Sequence, residues 1–176
     1  SNRHIVNIGT IEVYEDGFAY LESGGSIKEL LLLKDNGDVK YKAVYIIDGD
    51  LYYESGIDIK QQASERYVNG KVVANAKGDI KRETVHATKI KNEVIKKRYY
   101  LLEHEINEYR VSDMVTGDVV YKAGGKYISL GGTIMSTKGD VYCNGEKGTE
   151  DSTFTSYATN KEEIKKIKRT IFGIRL

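Results

Sequence analysis

From residue 39 onward the chain alternates apolar and polar positions with a period of two. Val39, Tyr41 and Ala43 fall on one side and Lys40 and Lys42 on the other, the pattern of a half-buried strand. Asp48-Gly49 then predicts a two-residue hairpin turn leading into a strand over 51–59. Asn69-Gly70 introduces another strand over 71–76, and 119–122, 126–129, 133–136 and 153–158 follow, separated by Gly-Gly, Gly-Gly and Lys-Gly-Asp. Short strands punctuated by glycine turns predict a mainly β fold, an antiparallel barrel or sandwich.

The same phrase is written twice. NGDVKYKA (36–43) and TGDVVYKA (116–123) are identical at six of eight positions. At an offset of 81, Glu12-Val13 meets Glu93-Val94; at 82, Tyr45-Ile46 meets Tyr127-Ile128 and Asp58-Ile59 meets Asp140-Val141. These echoes predict a single domain over 1–176 built by internal duplication, with related halves of about 80 residues at 4–90 and 91–176. A period that long implies two copies of a β-rich unit rather than a solenoid, which uses shorter repeats. Two segments have helical spacing. In 92–110, Ile95, Tyr99, Leu102, Ile106 and Tyr109 recur at helical intervals, but the matching segment of the first half contains Asp16-Gly17 and Gly24-Gly25, so strands are expected. At the C-terminus, Asn160 and Glu163 form a capping box, and Ile164, Ile167, Ile171 and Phe172 an apolar stripe. An amphipathic helix is expected there.

The stretch 98–142 also resembles the tubby-like superfamily, the LURP-one-related and scramblase-like proteins, through Asp113, Gly117, Tyr121, Gly125, Ser129 and Gly131. A fainter echo lies at Asp35, Gly37 and Tyr41. The resemblance implies a closed barrel of two similar halves around a C-terminal helix, and a non-enzymatic role in binding phosphoinositide or another membrane-surface partner. The family's final helix is apolar, whereas 160–172 here carries Lys161, Lys165, Lys166, Lys168 and Arg169, which resist burial without partners.

Charge narrows the functional classes. With 27 Lys and Arg against 26 Asp and Glu, there is no bulk field to attract nucleic acid or anionic lipid, so any such attraction is local. The single Cys143 excludes an intrachain disulfide and a cysteine-based zinc site. No apolar run is long enough for a membrane-spanning helix. Ser1-Asn2 is compatible with a removed leader, which sets an envelope or secreted location beside a cytoplasmic one. Fourteen Tyr and no Pro suit long regular strands whose N–H groups are all used.

The sharpest enzymatic alternative is a restriction-type, metal-dependent nuclease. Asp38 or Asp48, followed by Asp58-Ile59-Lys60, has the required order of carboxylates for Mg²⁺ and a lysine for the attacking water, with Glu29 a further upstream ligand. In the second half Asp118 and Asp140 match Asp38 and Asp58, but Tyr142 replaces Lys60, so the recurring acids also fit turn geometry. Glu103-His104-Glu105 reads as a solvated surface triplet. The C-terminal basic residues, and a second cluster containing Lys96, Lys97 and Arg98, are candidate contacts for an anionic surface. The expected function is a non-catalytic binding or structural domain recognising a protein partner or an anionic membrane surface, with no cofactor.

Overall fold

A computed structural model describes residues 3–91 and 103–147. All helical and strand structure among these residues is β, and the strands wind into three-sided coils. β1 (Ile5–Asn7) leads into a first coil made by β2 (Thr10–Ser23), which spans two faces, and β3 (Ile27–Glu29), which makes the third. A lateral hairpin follows, β4 (Leu31–Leu33) with β5 (Val39–Lys42). The second coil is β6 (Val44–Ser55), again spanning two faces, and β7 (Ile59–Gln62). The third is β8 (Glu65–Val68), β9 (Val72–Ala76) and β10 (Ile80–Glu83). A second lateral hairpin, β11 (Val85–Lys91) with β12 (Glu103–Tyr109), precedes the fourth coil of β13 (Ser112–Val115), β14 (Val119–Ala123) and β15 (Tyr127–Leu130). β16 (Thr133–Ser136) and β17 (Val141–Cys143) begin a fifth, and β18 (Glu146–Lys147) folds back on β17.

Each strand pairs in parallel with its equivalent in the next coil. On face 1, Val44, Glu65, Ser112 and Thr133 are in register; on face 2, Leu51, Val72, Val119 and Val141; on face 3, Ile27, Ile59, Ile80 and Tyr127. The molecule is therefore a parallel β-solenoid, not the expected antiparallel barrel or sandwich. Asp48-Gly49 does not make a hairpin. β6 runs through it and turns a corner, pairing with β8 before Gly49 and with β9 after it. The repeating unit is one coil. Side chains bond to equivalent backbone positions 21 or 22 residues on, or 47 where the second hairpin intervenes. The two-halves reading fails for the same reason: β8, β9 and β10 pair directly with β13, β14 and β15 across the supposed junction. The two copies of the repeated phrase are not equivalent either, since β5 lies in the lateral hairpin and β14 on face 2.

Parallel coils put like residues above like. Leu51, Val72, Val119 and Val141 stack inward from face 2, and Ile27, Ile59 and Ile80 from face 3, all essentially without solvent exposure. Gly17, Gly49, Gly70, Gly117 and Gly139 stack at the corner between faces 1 and 2. Close approach explains them. A Cβ on Gly49 would lie 1.6 Å from the Gly17 carbonyl oxygen, and one on Gly70 would lie 2.2 Å from that of Gly49. Aspartates finish the corners, each accepting a backbone N–H from the next coil: Asp50 from Lys71 (2.9 Å), Asp58 from Asp79 (2.7 Å), Asp79 from Lys126 (2.7 Å) and Asp118 from Asp140 (2.8 Å). Both lateral hairpins leave from the corner between faces 3 and 1, and the Tyr109 hydroxyl ties them by donating to the Gly37 carbonyl at 2.7 Å. Of the ambiguous segment 92–110, residues 103–109 are strand as expected; 92–102 and the C-terminal helix expected over 160–172 lie outside the described residues.

Candidate functional site

The strongest electrostatics lie inside the solenoid. Arg66 on β8 reaches the carboxylates of Asp113 on β13 and Glu29 on β3, all three with no side-chain exposure. Arg82 on β10 brings Nη2 to 3.0 Å from the same Asp113 oxygen, an ion contact without hydrogen-bond alignment, and its Nε donates to Gln61 at 2.8 Å. Its guanidinium carbon also lies 4.7 Å from the centre of the Tyr121 ring, and the Tyr121 hydroxyl donates to Asp113. Two guanidinium groups thus meet two carboxylates, and the cluster is neutral. Burial pushes the Asp113 carboxyl up, but Arg66, Arg82 and the Tyr121 hydroxyl together hold it below the usual range. Burial, with Arg82 opposing and Asp113 reinforcing, keeps Tyr121 protonated far above its ordinary value. This arrangement locks three faces together; it presents no reactive group to solvent.

The outer side of face 2 is different. Alternation along β2, β6, β9, β14 and β17 turns Tyr20, Tyr52, Val73, Val120 and Tyr142 outward in one continuous row across five coils. Phe18, beside it at the start, is 69% exposed, and Tyr20 is 53% exposed. The Tyr20 and Tyr52 rings lie 6.2 Å apart, tilted by 54°, and Lys71 Nζ sits 5.6 Å from the centre of the Tyr52 ring. Polar rows flank the aromatic one. On one side Glu22, Glu54 and Asn75 follow each other, with Asn75 donating to Glu54 at 3.1 Å. On the other side Asp50 accepts from the Tyr52 hydroxyl at 3.0 Å. At the far end the row opens into a cleft of about 570 Å³ bordered by Val120, Lys122, Tyr142, Asn144 and Gly145.

The residues singled out from sequence are dispersed. Asp38 lies in the turn of the β4–β5 hairpin, where its carboxylate accepts from Asn36 at 2.9 Å. Asp58 is a corner residue bonded to the Asp79 N–H, and Lys60 points outward on face 3. Lys28, Lys60 and Lys81 share an outward row there, partly neutralised by Glu83, which lies 3.8 Å from Lys60 and 2.9 Å from Lys81. Burial opposes ionisation of Glu83, but Lys81, Gln62 and Lys60 hold its pKa down. Glu29, the further upstream ligand considered, is spent on Arg66 and Ser64. Among the described residues no three His, Cys, Asp or Glu side chains are grouped to hold a metal ion. Lys96, Lys97, Arg98, Lys161, Lys165, Lys166, Lys168 and Arg169 lie outside the described residues. The aromatic row was missed. Its signal is the alignment of FAYLE, DLYYE, KVVAN, DVVYK and DVYCN, which only the coil period brings together.

No protein family, curated protein or solved structure matches this chain. Among the described residues no helix is long and apolar enough to cross a membrane, which says nothing of a β-barrel.

Proposed function

We propose that the protein is a non-catalytic recognition domain, a stiff solenoid that meets its partner through the outer side of face 2. The observation that carries this reading is the exposed row from Phe18 and Tyr20 to Tyr142, held on paired strands and rimmed by charged and amide side chains. Contiguous exposed aromatic surface is costly to leave in water, and where it is rimmed by polar residues it marks interaction sites. The non-catalytic half of the reading is supported by the interior cluster, whose strongly perturbed groups satisfy one another away from solvent.

The test compares wild type with Tyr20→Ser/Tyr52→Ser, both immobilised and exposed in turn to polysaccharide, membrane-vesicle and protein fractions from the cells that make the protein. One class of partner is expected to be retained by wild type and to lose about tenfold or more in affinity in the variant, the scale of losing buried aromatic anchors. Circular dichroism of the two should coincide. Equal retention by both proteins would overturn the assignment of face 2.

A further inference from the structure

Resting on that reading, we infer that face 2 binds an uncharged pyranose glycan chain laid along the solenoid axis. The apolar part of the face is a single residue wide, Tyr20–Tyr52–Val73–Val120–Tyr142, and hydrogen-bonding rows follow it on both sides. A protein interface concentrates its apolar residues in a broad centre depleted of charge. Here charge runs beside every part of the row. A glycan has the converse surface: weakly polar C–H faces on the ring and hydroxyls around its edge. The negative faces of Tyr20, Tyr52 and Tyr142 suit the former. The carboxylates of Glu22, Glu54 and Asp50 accept from hydroxyl donors, and the amides of Asn75 and Asn144 both donate and accept.

Charge separates the glycan classes. Glu22, Glu54, Asp50, Asp118 and Asp140 border this face against only Lys71 and Lys122. The local field repels uronic-acid polymers, nucleic acid and anionic lipid alike. Length is adequate as well. Adjacent strands lie about 4.8 Å apart, so five coils give a track of roughly 19 Å, long enough for several linked rings. The cleft of about 570 Å³ at Val120, Lys122, Tyr142 and Asn144 continues the track and would take a branch or chain end. Because the rows are fixed by parallel pairing, little ordering is needed on binding.

The experiment is affinity electrophoresis of the full chain in native gels containing glucomannan, xyloglucan, hydroxyethyl cellulose or glycol chitin, with polygalacturonate and alginate as acidic comparators. At least one uncharged polysaccharide should retard the protein, and the acidic polymers should not. Tyr20→Ala and Tyr142→Ala should each weaken retardation about tenfold, as expected for losing one stacked ring. Tyr67→Ala, on the outer side of face 1, should leave retardation unchanged. Migration unaffected by every uncharged polysaccharide, or retardation indifferent to Tyr20 and Tyr142, would overturn the glycan assignment. If Tyr20→Ser/Tyr52→Ser still loses a protein or membrane partner, face 2 remains a recognition surface for a different ligand; if it loses nothing, both readings fall.

Discussion

Asp113 is the residue on which the interior depends. Its carboxylate meets Arg66 from its own face and Arg82 from face 3, while Glu29 balances the second positive charge. Removing one member of such a group leaves a charge buried without compensation, at a cost of about 3–5 kcal/mol. Asp113→Asn is therefore expected to lower the urea midpoint severely, whereas Asp38→Asn, in an exposed turn, should leave it nearly unchanged. The wild-type pH dependence follows from the same group. The folded Asp113 has a lower pKa than an unfolded aspartate near 4, so the unfolded chain takes up the proton first. Its stabilisation is complete above about pH 4 and is lost as the pH falls through the lower folded value. Urea titrations at descending pH should show this loss in wild type and a shallower acid limb in Asp113→Asn. An equal acid limb in both would mean that other carboxylates govern acid unfolding. None of this was legible in sequence. Glu29, Arg66, Arg82 and Asp113 look like ordinary outward charges until the coil register brings them inside.

At the scale of the element, the corners matter most. Each β2- or β6-type turn places a glycine directly on the backbone of the preceding coil, and Gly70 is the clearest case because a Cβ there would overlap the Gly49 carbonyl. The coils cannot separate without breaking the N–H to carbonyl bonds that join them, such as Leu51 to Lys71 at 2.9 Å. Gly70→Ala should therefore destabilise by about 1–3 kcal/mol, the usual range for overpacking, measured as a shift in thermal midpoint. Ala at Gly145, where a Cβ meets nothing within 4 Å, tests the size argument, with allowance for its positive φ. The corners also explain what could and could not be read from the chain. Alternation located β5, β9, β14 and β16 well, because period two holds in any sheet. The direction of pairing was invisible, since an Asp-Gly step serves a hairpin and a solenoid corner equally well. The matches at 81 and 82 were real similarities between non-equivalent corners: Asp58 precedes face 3 and Asp140 precedes face 2, and both are followed by an inward apolar residue.

On the scale of the whole molecule, the solenoid is a stack of interchangeable coils interrupted by two lateral hairpins. The second coil closes the corner between faces 3 and 1 in two residues, Ala63-Ser64. In the third coil the equivalent residues are Thr84 and Val111. They remain neighbours in space, with the Val111 N–H 3.4 Å from the Thr84 hydroxyl, although 85–110 lies between them in sequence. Their backbone bonds match as well: Ala63 donates to Glu83, Thr84 to Leu130, and Ser112 to the Ser64 carbonyl. The hairpin of β11 and β12 is thus an excursion from a continuous stack, and it hid the short period from the sequence. Deleting 85–110 and joining Thr84 directly to Val111 should give a chain that still folds. Nearest-neighbour coil contacts, which carry most of a solenoid's stability, are retained. Its far-ultraviolet spectrum should keep the same β signature, and its unfolding should remain a single cooperative transition. The expected loss is small and local, about 1 kcal/mol from the Tyr109 hydrogen bond to Gly37. Collapse of the deleted chain into an unfolded or two-transition species would mean that the hairpin is part of the frame, and that the third and fourth coils need it to register.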